Sequence, residues 1–164
     1  MINLKEIKSK VITKVNLYCF VVISIIFFLD RYTKSLILKH LSENTYYFNN
    51  YINLDLVWNT GIGFGLFRSN SEIIYNLISL LIASVIIFLI YFLIASDKFE
   101  KVIYSIIVGG ALGNFYDRML FKAVPDFIDL HYLNFHWFTF NIADIFITLG
   151  ILGFIMKEFL IKNN

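Results

Sequence analysis

The chain has little charge, one proline and one cysteine. Only 16% of its 164 residues are charged, 59% are hydrophobic, and the mean hydropathy is +0.72. A soluble domain carries about 25% charged residues, so we predict a single integral membrane domain, residues 1–164. The lone Cys19 excludes an internal disulfide and a thiolate metal site, and we expect it to be buried in the first apolar segment.

Several common functional patterns are also missing. The sequence has no His-Glu-x-x-His metal motif, no Gly-x-Ser-x-Gly elbow and no Walker phosphate-binding loop. The net charge of +2 and the absence of a dense basic run argue against a nucleic-acid partner. The histidines, His40, His131 and His136, are scattered in predicted loops, and we expect them to be surface or interfacial residues.

Four apolar segments predict a mainly α-helical protein with four transmembrane helices, at about residues 12–30, 73–95, 102–118 and 142–157. The first segment follows a lysine-rich stretch but ends without a small-x-small cleavage site. We therefore interpret it as a retained helix rather than a cleaved signal peptide. In the third segment Gly109 and Gly113 are four residues apart, a spacing typical of closely packed transmembrane helices.

The distribution of basic residues predicts the orientation of these helices. Eight lysines flank one side and six basic residues the other, so the positive-inside rule places both termini in the cytoplasm. The unusual polar residues then all fall at the outer ends of the helices or in the outer loops. They are Asp30, Lys34, Asn59, Asn114, Asp117, Arg118, Asp126, Asn141 and Asp144. This convergence predicts a functional site on the outer face.

The outer loops predict a small β-structure above the helices. Residues 52–59 alternate between apolar and polar side chains, which indicates a strand, and the glycines that begin at Gly61 indicate a turn. Residues 131–140 are aromatic and either add another strand or lie on the membrane surface. We therefore expect a small sheet that sits on a four-helix bundle.

Two aspartates, Asp126 and Asp144, lie in short polar motifs of this apolar chain. A carboxylate at hydrocarbon depth costs roughly 2.5–3.5 kcal/mol on insertion scales, so it usually has a partner or a task. Asp126 follows a proline and is expected to start a turn or a helix. Asn141 and Asp144 have the spacing of a helix N-cap. If the two carboxylates meet, one holds a proton and the pair can activate water and polarise a carbonyl.

Two further polar motifs have structural and functional interpretations. Asp30 and Lys34 are spaced for an ion pair at the top of the first helix, or for a contact beside the site. Asp117 and Arg118 form either a terminal ion pair, or a site in which Arg118 holds a phosphate or a peptide carbonyl.

Taken together, these motifs resemble those of lipoprotein signal peptidases, the signal peptidase II family of bacterial aspartyl membrane proteases. The matching stretches are Asp30-Arg31-Tyr32-Thr33-Lys34, Asn59-x-Gly61, Gly109 to Arg118, Val124-Pro125-Asp126-Phe127 and Phe140-Asn141-Ile142-Ala143-Asp144. They follow the family's order over almost the whole chain.

The resemblance implies that Asp126 and Asp144 are the catalytic dyad. It further implies that Asn59, Gly61, Asn114, Arg118 and Asn141 shape the site and hold the substrate, supported by Asp30, Lys34 and Asp117. The implied substrate is a diacylglyceryl-modified prolipoprotein, cut on the amino side of the lipidated cysteine without a metal or organic cofactor. The family also implies a small β-cradle and the bacterial cytoplasmic membrane, and we expect a monomer.

The chain departs from the family pattern at two positions. Arg31 stands where glutamine is common, and Pro125 stands where valine or threonine is usual. Pro125 has no backbone N–H, so it removes a backbone hydrogen-bond donor beside Asp126. The alternative function is a non-enzymatic membrane transporter or assembly scaffold that uses the polar outer cluster as an ion-pair network.

Overall fold

A computed structural model describes residues 13–41, 45–61 and 72–162 and gives this part of the chain four long helices and a four-stranded sheet. The helices are α1 (Lys14–His40), α2 (Glu72–Ala95), α3 (Lys98–Phe121) and α4 (Ile142–Lys162). The strands are β1 (Tyr46–Tyr47), β2 (Ile52–Asn59), β3 (Val124–Tyr132) and β4 (Phe135–Phe140). The turn predicted after Gly61 lies outside the described residues.

Helix α3 is the centre of the bundle, because α1, α2 and α4 all pack against it. Two glycines allow α1 to approach closely. A Cβ atom added at Gly109 would lie 2.9 Å from Cβ of Ile26, and one added at Gly113 would lie 2.5 Å from Oδ2 of Asp30. The predicted close packing at these glycines is confirmed, as is the burial of Cys19.

The helices are longer than the predicted spans, except for α2. The first span was expected to end at residue 30, but α1 continues for ten residues to His40. The reason is that Asp30 and Lys34 are buried against α3 instead of leading into a loop. Helix α3 begins at an N-cap aspartate, Asp97, whose side chain accepts hydrogen bonds from two backbone amides.

Within the described residues, two helices, α1 and α2, are long and apolar enough to cross a membrane. Helix α2 presents large apolar side chains such as Leu80 and Ile87 outward, where a soluble protein would place polar ones. Helices α3 and α4 carry charged residues near their ends, which lowers their apolar content. The count of four spans therefore stays a prediction.

The sheet is antiparallel with the strand order β1-β2-β3-β4. The predicted strand at residues 52–59 is confirmed as β2. The aromatic loop at residues 131–140 forms the end of β3 and all of β4, so the strand alternative is correct. Helix α3 leads into β3, and β4 leads into α4, so the sheet covers one end of the bundle.

The expectation that Asp126 starts a turn or a helix is wrong, because Asp126 lies within β3, opposite Val57 of β2. The proline before it is tolerated for a local reason. Pro125 pairs with Trp58 on one side, but β3 pairs with β4 only from Ile128 onward. The missing N–H therefore falls where the strand has one neighbour, a position that accepts proline.

Candidate active site

Asn141 contacts both candidate catalytic carboxylates. Its side-chain Nδ2 donates to Oδ1 of Asp126 at 2.6 Å, and its backbone N–H donates to Oδ2 of Asp144 at 3.1 Å. Its Oδ1 in turn accepts the backbone N–H of Asp144 at 3.1 Å. The last two bonds form a reciprocal cap at the start of α4. The N-cap interpretation and the meeting of Asp126 and Asp144 at one site are therefore both correct.

Two more asparagines hold the remaining carboxylate oxygens. Asn59 Nδ2 donates to Oδ2 of Asp126 at 2.9 Å, and Asn114 Nδ2 donates to Oδ1 of Asp144 at 2.8 Å. Asn59 is itself oriented, because its Oδ1 accepts the backbone N–H of Gly61 at 2.9 Å. Each oxygen of each carboxylate thus receives a hydrogen bond, which fixes the orientation of both groups.

The two carboxylates are withdrawn from solvent, with exposed fractions of 2% for Asp126 and 8% for Asp144. Burial, and then the negative charge of Asp144, raises the pKa of Asp126 from 3.8 to about 7. The bonds from Asn59 and Asn141 act in the opposite direction, because they favour the ionised form. Near neutral pH the pair can therefore hold one proton and one negative charge, the state that acid–base catalysis by two carboxylates needs.

A buried charged network supports Asp144 from the side of α1. Lys34 Nζ donates to Oδ1 of Asn114 at 2.8 Å, to Oδ2 of Asp30 at 2.9 Å and to Oδ2 of Asp117 at 2.8 Å. The ion pair predicted for Asp30 and Lys34 exists, but it is buried and belongs to the site. Lys34 fixes the amide of Asn114, and Asn114 in turn holds Asp144.

Asp30 and Arg31 complete this network. Oδ1 of Asp30 accepts the backbone N–H of Ala143 at 3.1 Å, which attaches α1 to the first turn of α4. Arg31 donates to both oxygens of Asp117, and its Nη2 lies 2.9 Å from Oδ2 of Asp30. Sequence reasoning treated Arg31 only as a departure from a motif, because nothing local predicts a contact with a residue 86 positions away.

The ion pair considered for Asp117 and Arg118 does not form, since Asp117 binds Arg31 and Lys34 instead. Arg118 is buried, and among the described residues its Nε and Nη1 have no hydrogen-bond partner. Its charge is close enough to Asp126 and Asp144 to interact with both. Buried guanidinium donors without partners are suited to receive a substrate oxygen.

An apolar cavity of about 230 Å³ adjoins Asp144. It lies between β4 and α4 and is lined by Phe138, Phe140, Asp144, Ile145, Thr148 and Leu149. A larger apolar cavity of about 640 Å³ lies toward the other end of the bundle, between α1, α2 and α3, and none of its lining residues belongs to the site.

The expectation for the histidines is wrong for His131. His40 and His136 are exposed, but His131 is buried and stacks on His136, with the ring centroids 5.3 Å apart. The alternation of β3 places His131 on the same face as Asp129, two residues earlier. The two-residue spacing of Asp129 and His131 could have predicted from the sequence that they share a face, but His131 was interpreted as a loop residue.

Residues 22–160 match the family model described as signal peptidase (SPase) II. The chain belongs to the signal peptidase II family. It is 46% identical over 157 residues to the lipoprotein signal peptidase of Pelagibacter ubique, covering 92% of this chain and 95% of that protein. It is 39% identical over 137 residues to the lipoprotein signal peptidase of Thermodesulfovibrio yellowstonii, covering 83% of this chain and 90% of the relative.

Solved structures are also similar to this signal peptidase II family member. One is a bacterial membrane enzyme determined by the in meso method, with a TM-score of 0.71, 28% identity, and coverage of 89% of this chain and 88% of that one. A second, also a bacterial membrane enzyme, has a TM-score of 0.71 at 26% identity and covers 85% of this chain and 91% of its own. The chain is therefore a membrane peptidase, and the resemblance drawn from its motifs is confirmed.

Proposed function

We propose that this peptidase removes the signal peptide of diacylglyceryl-modified prolipoproteins, on the amino side of the lipidated cysteine, with Asp126 and Asp144 as its catalytic carboxylates. The relatives, which are named lipoprotein signal peptidases, support the substrate class. The observation that carries the dyad is that Asn141 binds both carboxylates.

In the proposed reaction the ionised carboxylate takes a proton from a water molecule as the water oxygen attacks the carbonyl carbon of the scissile bond. The protonated carboxyl gives its proton to the carbonyl oxygen, which produces a neutral tetrahedral intermediate. When the intermediate collapses, the newly protonated carboxyl gives its proton to the cysteine nitrogen, the other carboxylate takes a proton from a hydroxyl of the intermediate, and the C–N bond breaks. The dyad returns to its starting charge, and no metal or organic cofactor takes part.

Arg118 and the apolar cavity beside Asp144 support a substrate with polar and lipid parts. The Nε and Nη1 groups of Arg118, which have no partner among the described residues, suit the carbonyl of an extended peptide rather than a terminal ion pair. The cavity between β4 and α4 offers apolar lining next to a catalytic carboxylate, as a lipid-bearing substrate requires. Asn59, Gly61 and Asn114 act as the supports of the dyad, together with Asp30, Lys34 and Asp117.

The proposed setting is the bacterial inner membrane, which a monomer crosses four times with both termini in the cytoplasm. The sheet and the dyad then lie at the outer face, where secreted precursors arrive. The exposed aromatic residues of the sheet, such as Tyr46, Tyr132 and Trp137, suit a membrane–water interface.

The test is cleavage of a synthetic diacylglyceryl-prolipoprotein peptide by the purified protein in detergent. We expect the wild type to release the signal peptide, and Asp126→Asn and Asp144→Asn to lose turnover by at least about 10³-fold while staying folded. Asp55→Asn makes the same chemical change on the neighbouring strand β2 and should remain active. A peptide without the diacylglyceryl group should be cut poorly.

The outcomes separate the parts of this proposal. Full turnover by either dyad variant would reject the dyad and leave the peptidase assignment standing. Equal cleavage of lipidated and unlipidated peptides would reject the lipid requirement. A folded wild type that cleaves neither peptide would reject the proposed substrate class.

A further inference from the structure

Asp129, His131 and His136 form a cluster of metal-ligand side chains that takes no part in the proposed reaction. One potential ligand atom from each residue lies within 4.8 Å of the other two. Oδ2 of Asp129 is 2.7 Å from Nδ1 of His136 and 3.7 Å from Nδ1 of His131. The carboxylate oxygen is thus the common neighbour of the two imidazoles.

The cluster is built on regular secondary structure, which fixes its geometry. Asp129 and His131 are two residues apart on β3, and His136 of β4 is the direct cross-strand partner of His131. A register shift between Leu130 and His131 marks a bulge at this point of the β3–β4 hairpin. Bulges re-aim side chains, and here the result is that both imidazoles approach the same carboxylate.

One group in the cluster lacks a partner. His131 is 4% exposed, and within the described part of the chain its Nδ1 has no hydrogen-bond partner. A buried ring nitrogen without a hydrogen-bond partner destabilises the folded state, because its hydrogen bonds to water are lost and not replaced. Oδ2 of Asp129, at 3.7 Å from this nitrogen, is beyond hydrogen-bond distance. A cation placed between Nδ1 of His131 and Oδ2 of Asp129 would be a ligand partner for both atoms.

The cluster is separate from the dyad. Asp126 and Asp129 are three residues apart on β3, and side chains of a strand alternate between its faces. The cluster therefore lies on the face opposite to Asp126. It also has a route to solvent, since the His136 side chain is 58% exposed.

We propose that Asp129, His131 and His136 bind a divalent transition-metal ion, Zn²⁺, which fastens β4 to β3. Two imidazoles and one carboxylate are a donor set that zinc accepts, whereas magnesium and calcium prefer oxygen ligands. Tetrahedral zinc holds its ligand atoms about 3.3 Å apart, given metal–ligand bonds of about 2.0–2.1 Å. The distances of 2.7 and 3.7 Å from Oδ2 of Asp129 to the two imidazoles bracket that value. Water completes the coordination.

The test is titration of the metal-free, untagged protein in detergent with Zn²⁺ alone, followed by calorimetry. We expect one Zn²⁺ to bind per chain with a Kd of about 10 μM or tighter, and Mg²⁺ not to bind at the cluster. His131→Gln and His136→Gln should each weaken zinc binding by at least about tenfold. His40→Gln, which changes the remaining histidine of the chain, should bind as the wild type does.

Two further measurements distinguish the loss of zinc binding from misfolding of a variant. Because His136 is exposed, His136→Gln should fold normally, and its thermal midpoint should not rise with zinc, unlike that of the wild type. Co²⁺ bound by the wild type should give the visible absorption of tetrahedral coordination. No zinc binding by the wild type at about 100 μM, or equal binding by both cluster variants, would overturn the proposal.

Discussion

Charged side chains are buried at one end of the helix bundle and reach solvent at the other. At the end that carries the sheet, Asp30, Lys34 and Asp117 are fully buried and bind one another. At the other end, Lys157 of α4 pairs with Asp97 at 3.0 Å and with Glu100 at 2.7 Å, near the short connection between α2 and α3, where both acids reach solvent.

This difference indicates what each group of charges contributes. Exposed ion pairs contribute little to stability. Buried pairs carry a large desolvation cost, and apolar replacements of similar volume are often as stable. Stability alone therefore does not account for the buried network. Its position is informative, because Lys34 holds Asn114, and Asn114 holds Asp144. We infer that this network positions the carboxylate.

The largest expected effect comes from Lys34→Met, which leaves Arg31 as the remaining basic partner of buried Asp30 and Asp117 among the described residues. Removing one partner of a buried ionic group costs roughly 3–5 kcal/mol in the free energy of unfolding. Peptide cleavage should fall as well, because Asn114 loses its anchor. Denaturant titration in detergent measures the first quantity. Wild-type stability in this variant would contradict the proposed difference between the two ends.

A smaller effect is expected from Asn141→Ala, which removes one donor to Asp126 and the Oδ1 that accepts the backbone N–H of Asp144. Turnover should fall by about 10²-fold. The lost bond favoured ionised Asp126, so its pKa should rise further, and the limb of the pH–rate profile that reports Asp126 should move to higher pH.

Asn16→Ala, at the other end of the bundle, removes an asparagine that accepts a bond from Lys101. It is the matched control and should leave both turnover and the pH–rate profile unchanged. A profile that moves to lower pH in Asn141→Ala would contradict the assigned role of its hydrogen bond.

The contacts of this network mark the limit of what the sequence reveals. Apolar runs and strand alternation are local patterns, so α2 and β2 were predicted within a residue. The link from Lys34 to Asn114 joins residues 80 positions apart and depends on how closely Gly113 lets α1 approach α3. No local pattern encodes that distance.

The errors have the same origin. The sequence suggested an ion pair between Asp117 and its neighbour Arg118, but in the fold Asp117 pairs with Arg31 and Lys34. Asp126 was expected in a turn or a helix because a proline precedes it, whereas pairing with β2 extends the chain there. His131 was expected at the surface, because the loop interpretation of residues 131–140 did not include the hairpin that buries it.

Asp126→Asn should change stability in a pH-dependent way. The pKa of Asp126 is about 7 in the folded chain and about 3.9 when unfolded. Between these values the folded state binds more protons, so wild-type stability falls as the pH rises toward 7. Asp126→Asn has no carboxyl that titrates at this position, so its stability does not fall for this reason as the pH rises. The free energy of unfolding of the variant should therefore exceed that of the wild type by roughly 1–2 kcal/mol at pH 8. The gain is smaller than the whole pKa shift would give, because the NH₂ group of the new amide faces the donor groups of two asparagines.

Thermal unfolding in detergent at pH 5 and pH 8 measures this prediction. The advantage of the variant should shrink between pH 8 and pH 5, because Asp126 of the folded wild type is ionised at pH 8 and protonated at pH 5. A difference between variant and wild type that is equal at the two pH values would show that the Asp126 carboxyl does not titrate as stated.

The smallest effect is expected from Lys157→Met. Its partners Asp97 and Glu100 keep access to solvent, so no buried charge is left unpaired. Turnover and the midpoint of thermal unfolding should both stay at the wild-type values. A loss comparable to that of Lys34→Met would remove the contrast between the two ends.

The reciprocal cap at the start of α4 has a consequence for inhibitors. The carboxylate of Asp144 that is assigned to the chemistry also closes the helix, through the backbone N–H of Asn141. A compound that binds this carboxylate engages a group that the fold itself uses. A substitution at Asp144 that prevents such binding would then remove the helix cap together with turnover.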